Sequence, residues 1–213
     1  MGIQTKESQS NLTPEDARKI LIEGNWRFVH NLKLQRDLHE QVVATSHGQF
    51  PFAVVLSCID SRVPTELIFD QGIGHLFCVR VAGNIVNEDV LGSMEYACKV
   101  AGSKIVVVLG HTQCGAVKAA CEHVKMGNIT KLLGKIQPAV DFIRKGEEQL
   151  EEAAMEEVAV QNVKLSIDRI RKESPILVEM ESAGKIEIVG ALYDVSSGVV
   201  RFFDQVKVKT SLV

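Results

Sequence analysis

The chain has 213 residues, 46% of them hydrophobic and 24% charged, which supplies enough apolar material for one globular core and excludes a disordered or fibrous protein. A formal net charge of -3, with no Lys/Arg cluster, excludes a phosphate-neutralising face, so no nucleic-acid partner is expected. No apolar run approaches the ~18 residues that span a bilayer, and the polar stretch from Met1 to Leu12 lacks the layout of a secretory signal, so the expectation is a cytoplasmic protein without a membrane partner.

Thr13-Pro14-Glu15-Asp16 offers an N-cap, a proline for the first helical position and two acids for the first turn, predicting a helix to about Asn31. We expect residues 1–35 to form an N-terminal helical arm on a single domain spanning 1–213. The arm's apolar Ile20, Leu21, Trp26 and Phe28 predict packing on a neighbouring subunit. Short β-branched or apolar runs follow at Phe52 to Ser57, Leu76 to Val81 and Ile105 to Leu109, separated by helical periodicity at Asp89 to Val100 and Ala116 to Met126. Strands alternating with helices imply right-handed crossovers. The expected fold is therefore α/β, a mainly parallel central sheet with an antiparallel edge strand, flanked by helices, and its strand order is taken as the common doubly wound 2-1-3-4. After Pro138 the pattern turns helical again, and Glu147 to Lys172 reads as an amphipathic helix broken once, with Leu150, Val158, Leu165 and Ile170 among its apolar residues. Ser174-Pro175 opens a short helix ending near Gly184, and Ile186 to Tyr193 with Val199 to Phe203 form a closing hairpin.

Five cysteines, an odd number without an export signal, do not read as a disulfide framework, which leaves thiols free to bind metal. Ser57-Cys58-Ile59-Asp60-Ser61-Arg62 follows the first buried strand, and Gly110-His111-Thr112-Gln113-Cys114-Gly115 follows the third. Strand C-termini are where open parallel sheets bind ligands, and in the expected strand order these two are neighbours. Cys58, His111 and Cys114 are donor types that zinc prefers, and three protein ligands leave a fourth position for water, whose pKa a metal lowers towards ~7. A lone Cys at a strand end is more often a small buried hydrophobe. The two motifs together, with a charged Asp60-x-Arg62 beside the first thiol, outweigh that reading. Cys78, Cys98 and Cys121 have no companion ligands and are expected in the core, and the remaining histidines have packing or surface roles. An Arg62 fork around Asp60 would hold the carboxylate off the metal, free to accept a proton.

Cys-x-Asp-x-Arg followed some fifty residues on by Gly-His-x-x-Cys-Gly resembles the signature of the β-carbonic anhydrases, a likeness that extends from about Gln49 to Val117. The resemblance implies reversible hydration of carbon dioxide to bicarbonate, one zinc per subunit on Cys58, His111 and Cys114, and Asp60 with Arg62 as the dyad orienting the reactive water. It also implies that Gln49 donates to bicarbonate, that the Gly115 amide holds the same oxygens, and that Phe77, Ala82 and Tyr96 line an apolar slot for carbon dioxide. A homodimer or tetramer is implied as well. Val55 stands where some relatives carry a Trp that walls, with counterparts of Arg80 and Tyr193, an inhibitory bicarbonate pocket, so a plant-type-like open site is expected. Two rival readings keep the zinc. One is a hydrolase of carbonyl sulfide or carbon disulfide on this fold, and the other a non-catalytic zinc or redox-sensing protein that would need a fourth ligand.

Overall fold

The structure, a computed structural model, describes residues 2–144 and 151–203. Five strands form one sheet in the order β2-β1-β3-β4-β5. They are β1 (Ala53–Ser57), β2 (Leu76–Arg80), β3 (Ile105–His111), β4 (Glu187–Tyr193) and β5 (Val200–Phe202), all parallel except β5, which runs antiparallel along the upper part of β4. This matches the sequence expectation. β1 and β3 are buried along their whole length, as near-continuous Val/Leu/Ile runs in a two-sided parallel sheet require.

The helices follow their caps. A short α1 (Lys6–Asn11) leads into α2 (Pro14–Val29), which starts with a reciprocal Thr13/Asp16 capping box and a proline in the first turn. The apolar stripe of α2 splits. Ala17 and Leu21 are buried in the chain's own core and Ile20 and Phe28 pack against it, whereas Trp26 is 54% exposed. Gly24 lies against the Phe69 carbonyl just after α4 (Thr65–Ile68), and the Asn25 side chain donates to the carbonyls of Ile68 and Gly198 and accepts from the Val200 amide. An unexpected α3 (Leu38–Thr45) is capped by Asp37.

α5 (Glu88–Glu95) begins under the Asn87 cap and widens into a π-helical turn over Tyr96–Val100. The expected helix from Ala116 to Met126 stops short. α6 (Gly115–Cys121) ends before His123, which is held at a φ of 55°, and α7 (Gly127–Leu133) starts afresh. A non-glycine residue in the left-handed region breaks the helical hydrogen-bond ladder. α8 (Gln137–Arg144) follows. The expected amphipathic helix is α9 (Glu152–Glu173), 22 residues without a break, while its predicted start at Glu147 to Leu150 lies outside the described residues. α10 (Pro175–Ser182) is capped by Ser174 and stops before Gly184 at φ 66°.

Alternating strand residues feed two cores. Val54 and Leu56 face a cluster with Met94, Val163 and Ile170, whereas Ala53 and Val55 face Leu21, Phe52 and Phe69. A third cluster at the C-terminal end of the sheet joins Cys58, Cys114, Val117, Ile136 and Val158. Among the described residues, no helix is long and apolar enough to cross a membrane.

Candidate metal centre and active site

The register Ser57↔Leu109 between neighbouring parallel strands sets the residue after β1, Cys58, beside the last turn of β3. β3 continues two residues further and ends on His111. The chain then turns back through Gln113, at φ 53°, so that Cys114 arrives at the start of α6. The result is one cluster of donor atoms: Cys58 Sγ, His111 N and Cys114 Sγ lie within 4.8 Å of one another, and all three residues are buried.

Neighbouring groups prepare each donor. The Thr112 carbonyl lies 2.8 Å from His111 Nδ1 and can only accept, so Nδ1 carries the hydrogen and Nε2 presents its lone pair. That Nε2 is buried and has no hydrogen-bond partner. Cys58 Sγ accepts from the Gly83 amide at 3.4 Å. Its thiol is pulled down to about 4, first by a hydrogen bond from Cys114, against the cost of burial. Cys114 is pushed up, first by its hydrogen bond with Cys58 and then by burial. Two buried sulfurs thus face a bare imidazole nitrogen. A soft divalent cation satisfies all three at once, and the Cys₂His set fits zinc.

Asp60 and Arg62 sit beside this cluster as a two-point ion pair. Arg62 Nε donates to Asp60 Oδ1 at 2.9 Å and Nη2 donates to Oδ2 at 2.8 Å, while the Arg62 amide also reaches Oδ1. The guanidinium holds the carboxyl at about 2, well below the usual range. Asp60 Oδ2 is 4.0 Å from His111 Nε2, and Arg62 Nη2 continues to the Gln113 carbonyl at 3.2 Å.

Two residues, Arg80 and Asn162, have supporting roles that the sequence did not assign them. Arg80, paired in register with Ser57, donates to the carbonyls of Cys58 and Asp60 at 3.1 and 2.7 Å and so fixes the loop that carries both. Asn162 of α9 donates to the Gly83 carbonyl at 2.8 Å and steadies the amide that meets Cys58. The only sequence signal was an Arg at a strand end and a buried Asn on an apolar helix face. Val55 is buried in the core behind β1, and Tyr193 ends β4.

The residues assigned to substrate divide into two groups. Gly115 begins α6 with open space where a side chain would project, and Ala82 starts the short turn (Ala82–Asn84) whose next amide meets Cys58. Gln49, Phe77 and Tyr96 lie elsewhere. Gln49 is exposed ahead of β1, at the opposite end of that strand from Cys58. Phe77 and Tyr96 meet edge to face at 6.1 Å and wall a cavity of about 660 Å³. Phe77 pairs with Val54, four residues before Cys58, and four residues of strand span ~13 Å. The other thiols stay outside the cluster. Burial pushes Cys78 and Cys98 up to about 12 and raises Cys121.

Comparison with known proteins identifies the family. The sequence profile described as "Carbonic anhydrase" matches residues 53–200. A carbonic anhydrase of Mycolicibacterium smegmatis is 35% identical over 194 residues, covering 88% of this chain and 92% of its own. Among solved structures, the β-carbonic anhydrase CafA of Aspergillus fumigatus has a TM-score of 0.70 at 29% identity, covering 78% of this chain and 81% of its own. The β-carbonic anhydrase CcaA has a TM-score of 0.71 at 28% identity, covering 88% and 95%.

Proposed function

Because this chain belongs to the β-carbonic anhydrase family, we propose that it hydrates carbon dioxide reversibly to bicarbonate and a proton, with one zinc per subunit on Cys58, His111 and Cys114. The observation that carries the metal assignment is the buried His111 Nε2, which has no hydrogen-bond partner and belongs to a donor cluster with two buried cysteine sulfurs. When bound there, zinc supplies a Lewis acid that makes water acidic near neutral pH.

The chain's own groups set the direction of attack. Asp60, held by Arg62 at both oxygens, keeps an acceptor beside the cluster and orients the reacting water towards carbon. The Gly115 amide, at the N-terminus of α6 where donors are free, suits the oxygens of bicarbonate. The grip of Arg62 also disfavours a closed, purely structural site, since Asp60 is the only obvious fourth ligand among the described residues.

Gln49, Phe77 and Tyr96 serve the site of a second copy in this reading. Their distance from the cluster within one chain supports a homodimer or a pair of dimers, and so do the exposed Trp26, Leu38, Val42 and Val43. Phe77 and Tyr96 then give the uncharged substrate an apolar wall.

The test is metal content and carbon dioxide hydration measured on one purified sample. Cys58→Ala, His111→Ala and Cys114→Ala should each lose zinc and activity, while Cys98→Ala and Cys121→Ala keep both within a few-fold. A zinc-replete, active Cys114→Ala enzyme would overturn the assignment.

A further inference from the structure

Hydration creates a removal problem. In CO2 + H2O → HCO3⁻ + H⁺, a new C–O bond forms while one O–H bond of water breaks, and the proton must reach a solvent base before the next turnover. The dyad is poorly placed to carry it out. Both Asp60 oxygens are occupied by the Arg62 side chain at 2.9 and 2.8 Å. His111 is committed to the donor cluster, and His123, at the far end of α6, is engaged by Arg144.

A cavity of about 460 Å³ lies between α6 and the first turns of α9 and borders the ligand set directly. Its lining includes Gln113 and Cys114 on the loop, Val117 and Lys118 on α6, and Met155 and Glu156 on α9. Gln113 links this space to the dyad, since its carbonyl and Oε1 lie 3.2 and 3.5 Å from Arg62 donors. Besides the ligand Cys114, the lining carries one cation and one carboxylate. Lys118 is paired with Glu122 at 3.9 Å, whereas the side chain of Glu156 has no hydrogen bond or ion pair among the described residues. Its carboxylate is exposed on the solvent side, so it touches both the cavity and the bulk.

Building on the carbonic anhydrase reading, we propose that Glu156 receives the product proton through water in this cavity and releases it to the external buffer. The carboxylate takes up H⁺ and becomes the neutral acid. It then gives H⁺ to a buffer base and returns to its starting state, and no other reagent is consumed. Glu156 takes no part in the bond formed at carbon, so its loss should slow turnover without altering capture of carbon dioxide.

Glu156→Gln keeps the shape of the side chain and removes its basicity. In weak buffer its kcat should fall about tenfold with kcat/KM unchanged, and a high concentration of a small imidazole buffer should restore kcat. Exchange of ¹⁸O from bicarbonate into water should slow in parallel, because release of labelled water needs a returning proton. Glu157→Gln, one residue along and outside the cavity lining, should behave as wild type. An unchanged kcat for Glu156→Gln in weak buffer would overturn the proposal. So would a joint fall of kcat and kcat/KM that buffer cannot rescue, or an equal loss in Glu157→Gln. A zinc-loaded wild type that does not hydrate carbon dioxide would remove the functional reading and this proposal together, whereas an active wild type with an unaffected Glu156→Gln removes the proposal alone.

Discussion

Gly24→Ala sets two effects of opposite sign against each other. On helix propensity alone, alanine inside α2 should stabilise by ~1 kcal/mol. The structure predicts the reverse. A Cβ at position 24 would lie 1.8 Å from the Phe69 carbonyl oxygen and 2.8 Å from its carbon, both of them backbone atoms that no rotamer change can move. Relief requires α2 to withdraw by more than ~1.5 Å. That motion pulls on the three Asn25 hydrogen bonds, to Ile68, Gly198 and Val200, and lifts the fully buried Ala17 and Leu21 from the sheet. Overpacking costs ~1–3 kcal/mol and each strained hydrogen bond ~1 kcal/mol, so a net loss of ~3 kcal/mol is expected after the propensity gain. For a chain of this size that is a fall in Tm of roughly 6–12 °C. Thermal unfolding followed by far-UV circular dichroism measures it, and a Gly24→Ala protein that melts at or above the wild-type temperature would refute the reasoning. Phe69 directly follows α4, and α4 follows the loop carrying Asp60 and Arg62, so activity should fall before the fold is lost.

Gly83→Ala should cost ~2 kcal/mol of stability and weaken zinc retention in competition with a chelator, because its φ of 65° is strained for alanine and the new Cβ meets Ile136 at 2.5 Å while its amide serves Cys58. Unchanged zinc affinity would contradict that role. Asp60 has a folded pKa of about 2, below its unfolded value of 3.8, so the contribution of the pair is complete above 3.8 and disappears as pH falls through about 2. The difference in urea midpoint between wild type and Asp60→Asn should therefore stay constant from about pH 8 to about pH 5, and a difference that narrows within that range would count against the pairing. Burial holds His75 down to about 4 from 6.5, helped by the Arg36 charge. Its unfolded form takes up a proton that the folded form refuses, so stability drops as pH falls from 6.5 towards 4, by up to ~3 kcal/mol. His75→Gln should flatten that slope in urea titrations, and an unaltered slope would rule His75 out as its source.

The strands and the donor cluster were legible because both rest on local signals, namely apolar runs of strand length and ligands at strand ends, whereas the strand order was taken as the common doubly wound one. What escaped depends on contacts between distant segments or on single dihedral angles. α3 was invisible because Leu38, Val42 and Val43 are exposed, so its apolar residues mark no buried stripe. The early end of α6 turns on a left-handed His123, which no composition rule signals. Arg80 and Asn162 act on backbone carbonyls far along the chain, and such partners leave no motif. Gln49, Phe77 and Tyr96 could be named but not positioned, since a motif does not say which face of the sheet or which copy of the chain a residue serves.

Cys58 and His111 are neighbours in space but roughly fifty residues apart in sequence, with α4, β2 and α5 strung between them. An ion gripped by both closes that span into a ring. By the relation used for covalent cross-links, a ring of this size denies the unfolded chain about 4 kcal/mol of conformational freedom. A protein starved of metal would then be handicapped twice, once as a catalyst and once as a polymer whose first half has lost its clasp. Its apo form should yield to proteases through the segment between the two ligands before the hairpin of β4 and β5 opens.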